Sequence, residues 1–481
     1  MENNAPIEQS IKYANYRQLA SFADDELGVQ KIADIIESIV ANLSGQPFVI
    51  GINSPWGTGK TEFLRMWKKR LDDGGWRVIA FNAWENDFLE DPLKCLLGEL
   101  SGAFETSKKS KLIPSWKGVK DAAKYLVKKS VPGAVKHATL GAIDIDGVGN
   151  VIADAANDAA EEAIKTHIQT KDSLRIFREK LGELATQVAK DSNHPLLIIV
   201  DELDRCRPSF AVEMLEVIKH LFEVENIVFI LAYDGRQLAC STQSLYGQNF
   251  DGKTYLQRFF NLEFNLPVAT AIFLESESKR VGLTGWEERY RNPRYGGTTQ
   301  DVLQTLLAQA MIHQFSLRTA QRILTKLSVV VATIDMKRPL YAHVLSPLVV
   351  LSVVNPELLA AYFRDELDWK AIAEVCWPKE RLAQLSSDSG FDTALTWCFA
   401  SSVFFFFYMD RSRSDERRSK STQEVGDDGF LSHWEGCRFF ERIKNAYDGY
   451  SKRHDELDFW NTTSKKKLQQ MLTGSSGINK T

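Results

Sequence analysis

Eight consecutive residues, Ser54-Pro55-Trp56-Gly57-Thr58-Gly59-Lys60-Thr61, combine the residue types needed to hold a phosphate. Phosphate binding requires backbone N–H groups that converge on an anion, and glycines permit that close approach. Lys60 would set a positive charge against β- and γ-phosphates, and the Thr61 hydroxyl would ligate Mg²⁺. The expected nucleotide cradle runs from Ser54 through Glu62. The usual pattern opens with glycine. Ser54 stands there instead and takes positive φ less readily, so the first turn is expected to differ slightly. A second set lies in Leu196-Leu197-Ile198-Ile199-Val200-Asp201-Glu202, an apolar run ending in two carboxylates. Such an end belongs at the C-terminal edge of a sheet, where ligands lie in open α/β folds. Asp201 would hold Mg²⁺ through water, and Glu202 would polarise the attacking water. The bland alternative is an acidic helix cap stabilised by the helix dipole; a phosphate loop upstream in the same sheet favours chemistry.

Those residues need strands and helices to place them. Residues 26–43 carry apolar residues at helical spacing, ending near Gly45. PFVIGI, VIAFNAW, PLLIIVDELD and IVFILAYD read as strands, TEFLRMWKKRL and AVEMLEVIKHLF as helices, and another helix begins near Asp91-Pro92. Strands alternating with helices over residues 26–267 imply a parallel sheet with helices on both faces, the α/β class. From Lys108 to Ala189 the composition shifts to Ala, Lys, Asp and Gly, which predicts a mostly helical insertion. Beyond Pro267 the pattern is mostly helical. The expected division is 1–107 and 190–270 for the two halves of the sheet domain, 108–189 for the insertion, and 271–481 for a helical lid and C-terminal domain with a charged loop near 410–429.

Composition narrows the partners. The 481 residues carry 59 Lys+Arg against 63 Asp+Glu, a net charge of −4, so nucleic acid could be held only by a local basic patch. The Arg and Lys residues of 411–420 and the run Lys465-Lys466-Lys467 are candidates, though charge runs are usually only solvated. Cys95, Cys206, Cys240, Cys376, Cys398 and Cys437 form no CxxC and no zinc quartet, which suits a reducing compartment. The polar start MENNAPIEQS lacks the order of a signal peptide, so a cytoplasmic chain is expected. Two uncharged stretches, PLYAHVLSPLVVLSVVNP after Arg338 and the Phe-rich 393–409, approach the length of a membrane span. Both read as buried core, so membrane contact is not expected. The eight histidines show no ligand spacing, and no metal beyond Mg²⁺ is expected.

Five segments together, SPWGTGKT, FNAW (Phe81–Trp84), DELDRCRPS (Asp201–Ser209), FILAYD (Phe229–Asp234) and YLQRFFNLEFNLP (Tyr255–Pro267), resemble the KAP family of P-loop NTPases. The helix at 24–41 and the segment FSLRTAQRILTKL (Phe315–Leu327) resemble further family helices, so the likeness spans about residues 20–330. The resemblance implies ATP as the nucleotide, Mg²⁺ as the cofactor, and a conformational switch or assembly motor in bacterial defence against phage or mobile DNA. Family members often carry transmembrane helices between their Walker motifs; the insertion here has no such pair. A homo-oligomer or a partner protein encoded nearby is also implied. Asp234 stands where related ATPases sense the γ-phosphate, or serves as a strand-end cap. Asp204 and Arg205 pair with each other, or Arg205 faces a neighbouring subunit. Positive charge for the γ-phosphate falls to Arg318 or Arg322, or to Arg258 acting in trans. Trp56 is expected to pack on the fold rather than meet adenine. The readings that compete with an enzyme are a nucleotide-gated scaffold with little hydrolysis and a membrane-associated signalling organiser acting through the Phe-rich 393–409.

Overall fold

The computed structural model describes residues 21–382 except 26, 44, 90, 106–111, 130–154, 281–298, 334–341, 365, 368 and 379, together with residue 402. Among these residues five strands form one sheet: β1 (Phe48–Asn53), β2 (Val78–Asn82), β3 (Leu196–Asp201), β4 (Ile227–Tyr233) and β5 (Leu262–Asn265). Their order is β2-β3-β4-β1-β5, and every neighbouring pair is parallel. Parallel strands buried on both faces read as continuous apolar runs. β4 meets that rule at all seven positions, and β3 at its first five.

Alternate side chains of these strands enter two cores. Ile198, Val200, Phe229 and Leu231 point to one face, and Leu197, Ile199, Val228 and Ile230 to the other. The second face is covered by α1 (Gln30–Ala41) and α2 (Lys60–Asp73) through Ile36, Val40, Phe63 and Trp67. Trp67 Nε1 donates to Glu37 Oε1 at 2.8 Å, and Arg70 pairs with both Asp34 (2.7 Å) and Glu37 (2.9 Å), so the two helices are clamped to each other. The first face is covered by α3 (Pro92–Glu105), α4 (Ile113–Lys129), α5 (Ala155–Ser192) and α6 (Pro208–Leu221). Leu96, Phe104, Trp116, Phe177, Leu184 and Met214 bring these four helices into one core. The described helices of the expected insertion, α4 and α5, pack in the same core. Two short helices, α7 (Gly235–Tyr246) and α8 (Gly252–Leu256), lead from β4 to β5.

The chain divides into two compact units, Gln18–Pro267 and Val268–Thr481 with Met1–Arg17. The second unit's described elements are all helical: α9 (Thr270–Arg280), α10 (Thr299–His313), α11 (Leu317–Thr333), α12 (Ala342–Val354), α13 (Pro356–Phe363) and α14 (Trp369–Cys376). Gln309 Nε2 donates to the Cys376 carbonyl at 3.1 Å, tying α10 to the end of α14. Most of the first uncharged stretch is α12, whose Leu345, Leu348, Val349 and Leu351 are buried. No helix among the described residues is long and apolar enough to cross a membrane. The Phe-rich segment apart from buried Ser402, the charged loop and the lysine run lie outside the described residues.

Candidate functional site

The phosphate loop leaves β1 after Asn53 and enters α2 at Lys60. Its left-handed positions are Gly57 (φ 79°) and Gly59 (φ 92°), where glycine adopts the conformation without a Cβ clash. Ser54 is not among the residues with positive φ, so serine there imposes no strain on the first turn. Its N–H donates to the Tyr233 carbonyl at 3.0 Å and its hydroxyl to the Leu266 carbonyl at 3.4 Å, anchoring the loop to β4 and to the residue after β5. Thr58 Oγ1 donates back to the Pro55 carbonyl at 2.8 Å. The buried Lys60 ammonium donates to the carbonyls of Ser54 (2.5 Å) and Pro55 (3.2 Å). Burial pulls Lys60 below the ordinary lysine value, opposed by the nearby Asp204, Asp234 and Asp201. Glu62 is turned to Arg65, with an ion pair at 2.7 Å.

β4 separates β1 from β3, which places the acidic turn two strands away from the loop, about 10 Å at ordinary strand spacing. The Thr61 hydroxyl nonetheless lies close enough to the Asp201 carboxylate to draw its pKa down. Burial pushes Asp201 above the usual carboxylate value; Thr61, the Glu202 N–H and Lys60 pull it back. Glu202 is left-handed at φ 60°, a conformation strained for any residue with a side chain. Its N–H donates to Asp201 Oδ1 at 2.8 Å.

Two expectations need correction. Asp204 and Arg205 do not pair with each other. They lie in a short 3₁₀ turn, Leu203–Arg205, where consecutive side chains diverge. Asp204 accepts from Trp56 Nε1, and Arg205 NH1 lies 2.6 Å from Glu202 Oε1. Trp56 does not pack into the fold: the residue is 45% exposed, and Asp204 accepts from its indole N–H. Asp234 caps α7, accepting from the N–H groups of Arg236 (3.0 Å) and Gln237 (3.4 Å), so the capping role is what its contacts carry. The same carboxylate also accepts from the Trp56 N–H at 3.1 Å and thereby braces the loop. A cavity of about 500 Å³ opens beside it, between Asn53, Ser54, Tyr233, Asp234 and Glu263.

The candidate arginines are dispersed. Arg258 is exposed on the turn before β5, with its guanidinium 5.9 Å from the centroid of the Tyr255 ring. Arg318 and Arg322 occupy exposed positions one turn apart on α11, in the second unit.

Four participants were not singled out from the sequence. Asn82, in register with Asp201 at the end of β2, brings Nδ2 to 3.4 Å from Glu202 Oε2. Trp84 presents its ring 5.7 Å from Arg205. Both belong to FNAW, and its place at the end of a core strand was the available signal. Arg207 donates from N (2.9 Å) and Nε (2.8 Å) to Asp87, which fixes the start of α6 against the turn after β2. A contact spanning 120 positions leaves no local trace in the sequence.

Residues 29–334 match the model of the KAP family P-loop domain. The chain belongs to the KAP family. A phage T7 exclusion protein of Escherichia coli (strain K12) is 23% identical over 295 residues, covering 58% of this KAP chain and 38% of that protein. The chain therefore spans well under half the length of that relative. Among solved structures, the Aeropyrum pernix ORC2 protein in its ADPNP-ADP complexes is similar at 14% identity, covering 88% of this chain and 94% of that one with a TM-score of 0.33. The CDC6P of Pyrobaculum aerophilum is similar at 12% identity, covering 83% and 89% respectively, with a TM-score of 0.34.

Proposed function

We propose that this KAP protein is a Mg²⁺-dependent ATPase whose cycle drives a conformational switch or an assembly motor, in bacterial defence against phage or mobile DNA. The observation that carries the reading is the approach of the Thr61 hydroxyl, on the first turn of α2, to the Asp201 carboxylate at the end of β3, close enough to draw that carboxyl down. Both are hard oxygen donors, and among the described residues no group of three or more His, Cys, Asp or Glu forms a metal cage. That set fits Mg²⁺, which keeps waters and phosphate oxygens in its shell and takes few protein ligands. When bound, Mg²⁺ would neutralise charge on the β- and γ-phosphate oxygens.

The chain's own groups do the rest. The loop N–H groups of Gly57 to Thr61 hold the phosphates at the N-terminus of α2. Lys60 exchanges the Ser54 and Pro55 carbonyls for phosphate oxygens. Glu202 accepts a proton from water as its oxygen bonds to the γ-phosphorus and the bond to the bridging oxygen breaks, giving ADP and inorganic phosphate. Arg258 from a second copy in a homo-oligomer, or else Arg318 or Arg322, would complete the charge on that phosphate. ATP is taken as the nucleotide on the family resemblance, and nothing in the sequence resembles the NKxD motif that reads guanine. The phage T7 exclusion protein supports the defence role.

The test is steady-state ATP hydrolysis with Mg²⁺ beside Glu202→Gln. Turnover should fall by roughly 10²–10⁴ in the variant with binding retained. Binding that is lost in Lys60→Ala, without any turnover in the unaltered protein, would replace the enzyme with a nucleotide-gated scaffold.

A further inference from the structure

Arg205 is held on two sides at the rim of the acidic turn. Its NH1 lies 2.6 Å from Glu202 Oε1, and its guanidinium lies 5.7 Å from the centroid of the Trp84 ring. The other Glu202 oxygen has Asn82 Nδ2 at 3.4 Å. The carboxylate assigned to the attacking water is therefore engaged by donors from two elements. Arg205 is also near enough to Lys60 to disfavour the ammonium charge, so it belongs to the field of the phosphate loop. Both cations rest on protein acceptors, Lys60 on loop carbonyls and Arg205 on Glu202.

A terminal phosphate offers more acceptor oxygens and more charge than a single carboxylate, and guanidinium matches phosphate in a two-point fork. Trp84 gives the guanidinium a surface on which to pivot between the two acceptors.

We propose that Arg205 senses the terminal phosphate within one chain: it leaves Glu202 for that phosphate when a nucleoside triphosphate binds, and Glu202 is thereby freed for water. The inference rests on the nucleotide-binding reading above. A diphosphate lacks the group that draws Arg205 away, so Glu202 stays engaged. The exchange would couple the presence of substrate to the availability of the base.

The test is calorimetric binding of a non-hydrolysable ATP analogue and of ADP to the full-length protein and its variants. Arg205→Gln should weaken the analogue about tenfold, the loss expected for a charge-assisted hydrogen bond, and leave ADP unchanged. Arg205→Lys should restore part of the analogue affinity. Glu202→Gln should tighten the analogue by releasing Arg205, and that gain should vanish when Arg205→Gln is added. Equal losses for analogue and ADP, no loss for either, or a Glu202→Gln gain that persists without Arg205 would overturn the sensor while leaving nucleotide binding intact. A wild-type protein that binds neither ligand overturns the nucleotide reading, and the sensor with it.

Discussion

The phosphate loop and the acidic turn both need a left-handed residue, and they obtain it in opposite ways. The loop uses Gly57 and Gly59, which take positive φ freely. The acidic turn uses Glu202, at a strain on the order of 1–2 kcal/mol. The loop must bring its backbone against an anion, so a side chain at those glycines would obstruct it. The turn must aim a carboxylate, so the side chain cannot be dispensed with and the strain is retained. Strained backbone of this kind persists where its surroundings fix it. Here the Asp201 carboxylate, the Arg205 guanidinium and the Asn82 amide all engage Glu202.

The largest effect that separates the two turns should come from Gly59→Val. A β-branched residue at φ 92° carries roughly 2 kcal/mol of strain or more, enough to weaken nucleotide binding about thirtyfold in a titration. Circular dichroism should show the fold intact; affinity that survived would mean that the loop does not need its left-handed glycine.

pH gives a smaller effect, confined to the acidic turn. Asp201 must be ionised to hold a cation, and burial raises its carboxyl above the ordinary value. Mg²⁺-dependent nucleotide binding should therefore weaken on acidification before an ordinary carboxylate would protonate. The stability linkage has the opposite sense. A raised carboxyl holds its proton more tightly in the folded chain, so its contribution to stability is present below the unfolded value and lost as pH rises through the folded one. Nucleotide titrations with Mg²⁺ measure the first sign and denaturant titrations across the same range the second, each beside Asp201→Asn.

The smallest effect isolates the backbone of the acidic turn. Glu202→Gly and Glu202→Ala remove the same carboxylate, but only alanine keeps a Cβ in the left-handed region. The glycine variant should be the more stable by about 1 kcal/mol in chemical denaturation. Equal stabilities would place the strain elsewhere.

Much of the first unit could be read from the sequence because its strands are buried on both faces. FVIGI, LLIIV and IVFILAY are uninterrupted apolar runs, and each became a sheet strand. The glycine spacing of the loop and the two carboxylates after β3 were legible for the same reason: each follows directly from a strand end. What escaped was side-chain choice within the turns. Sequence adjacency suggested Asp204 with Arg205, whereas the 3₁₀ turn gives Arg205 to the residue three positions earlier and Asp204 to an indole across the site. The Asp87–Arg207 brace depends on β2 and β3 lying side by side, which no local pattern encodes.

The strand order carries a consequence for how the chain is made. Of the five described strands β1 is the first to be synthesised, yet its two neighbours are the last, β4 and β5. The Val49 N–H finds its acceptor, Asn261 Oδ1, only 212 positions later. At roughly 5–20 residues per second, an apolar strand with both edges unpaired waits on the order of 10–40 s for its partners. The segment that bears the phosphate loop is thus synthesised early and secured late, which makes nascent β1 the stretch most in need of shelter during translation.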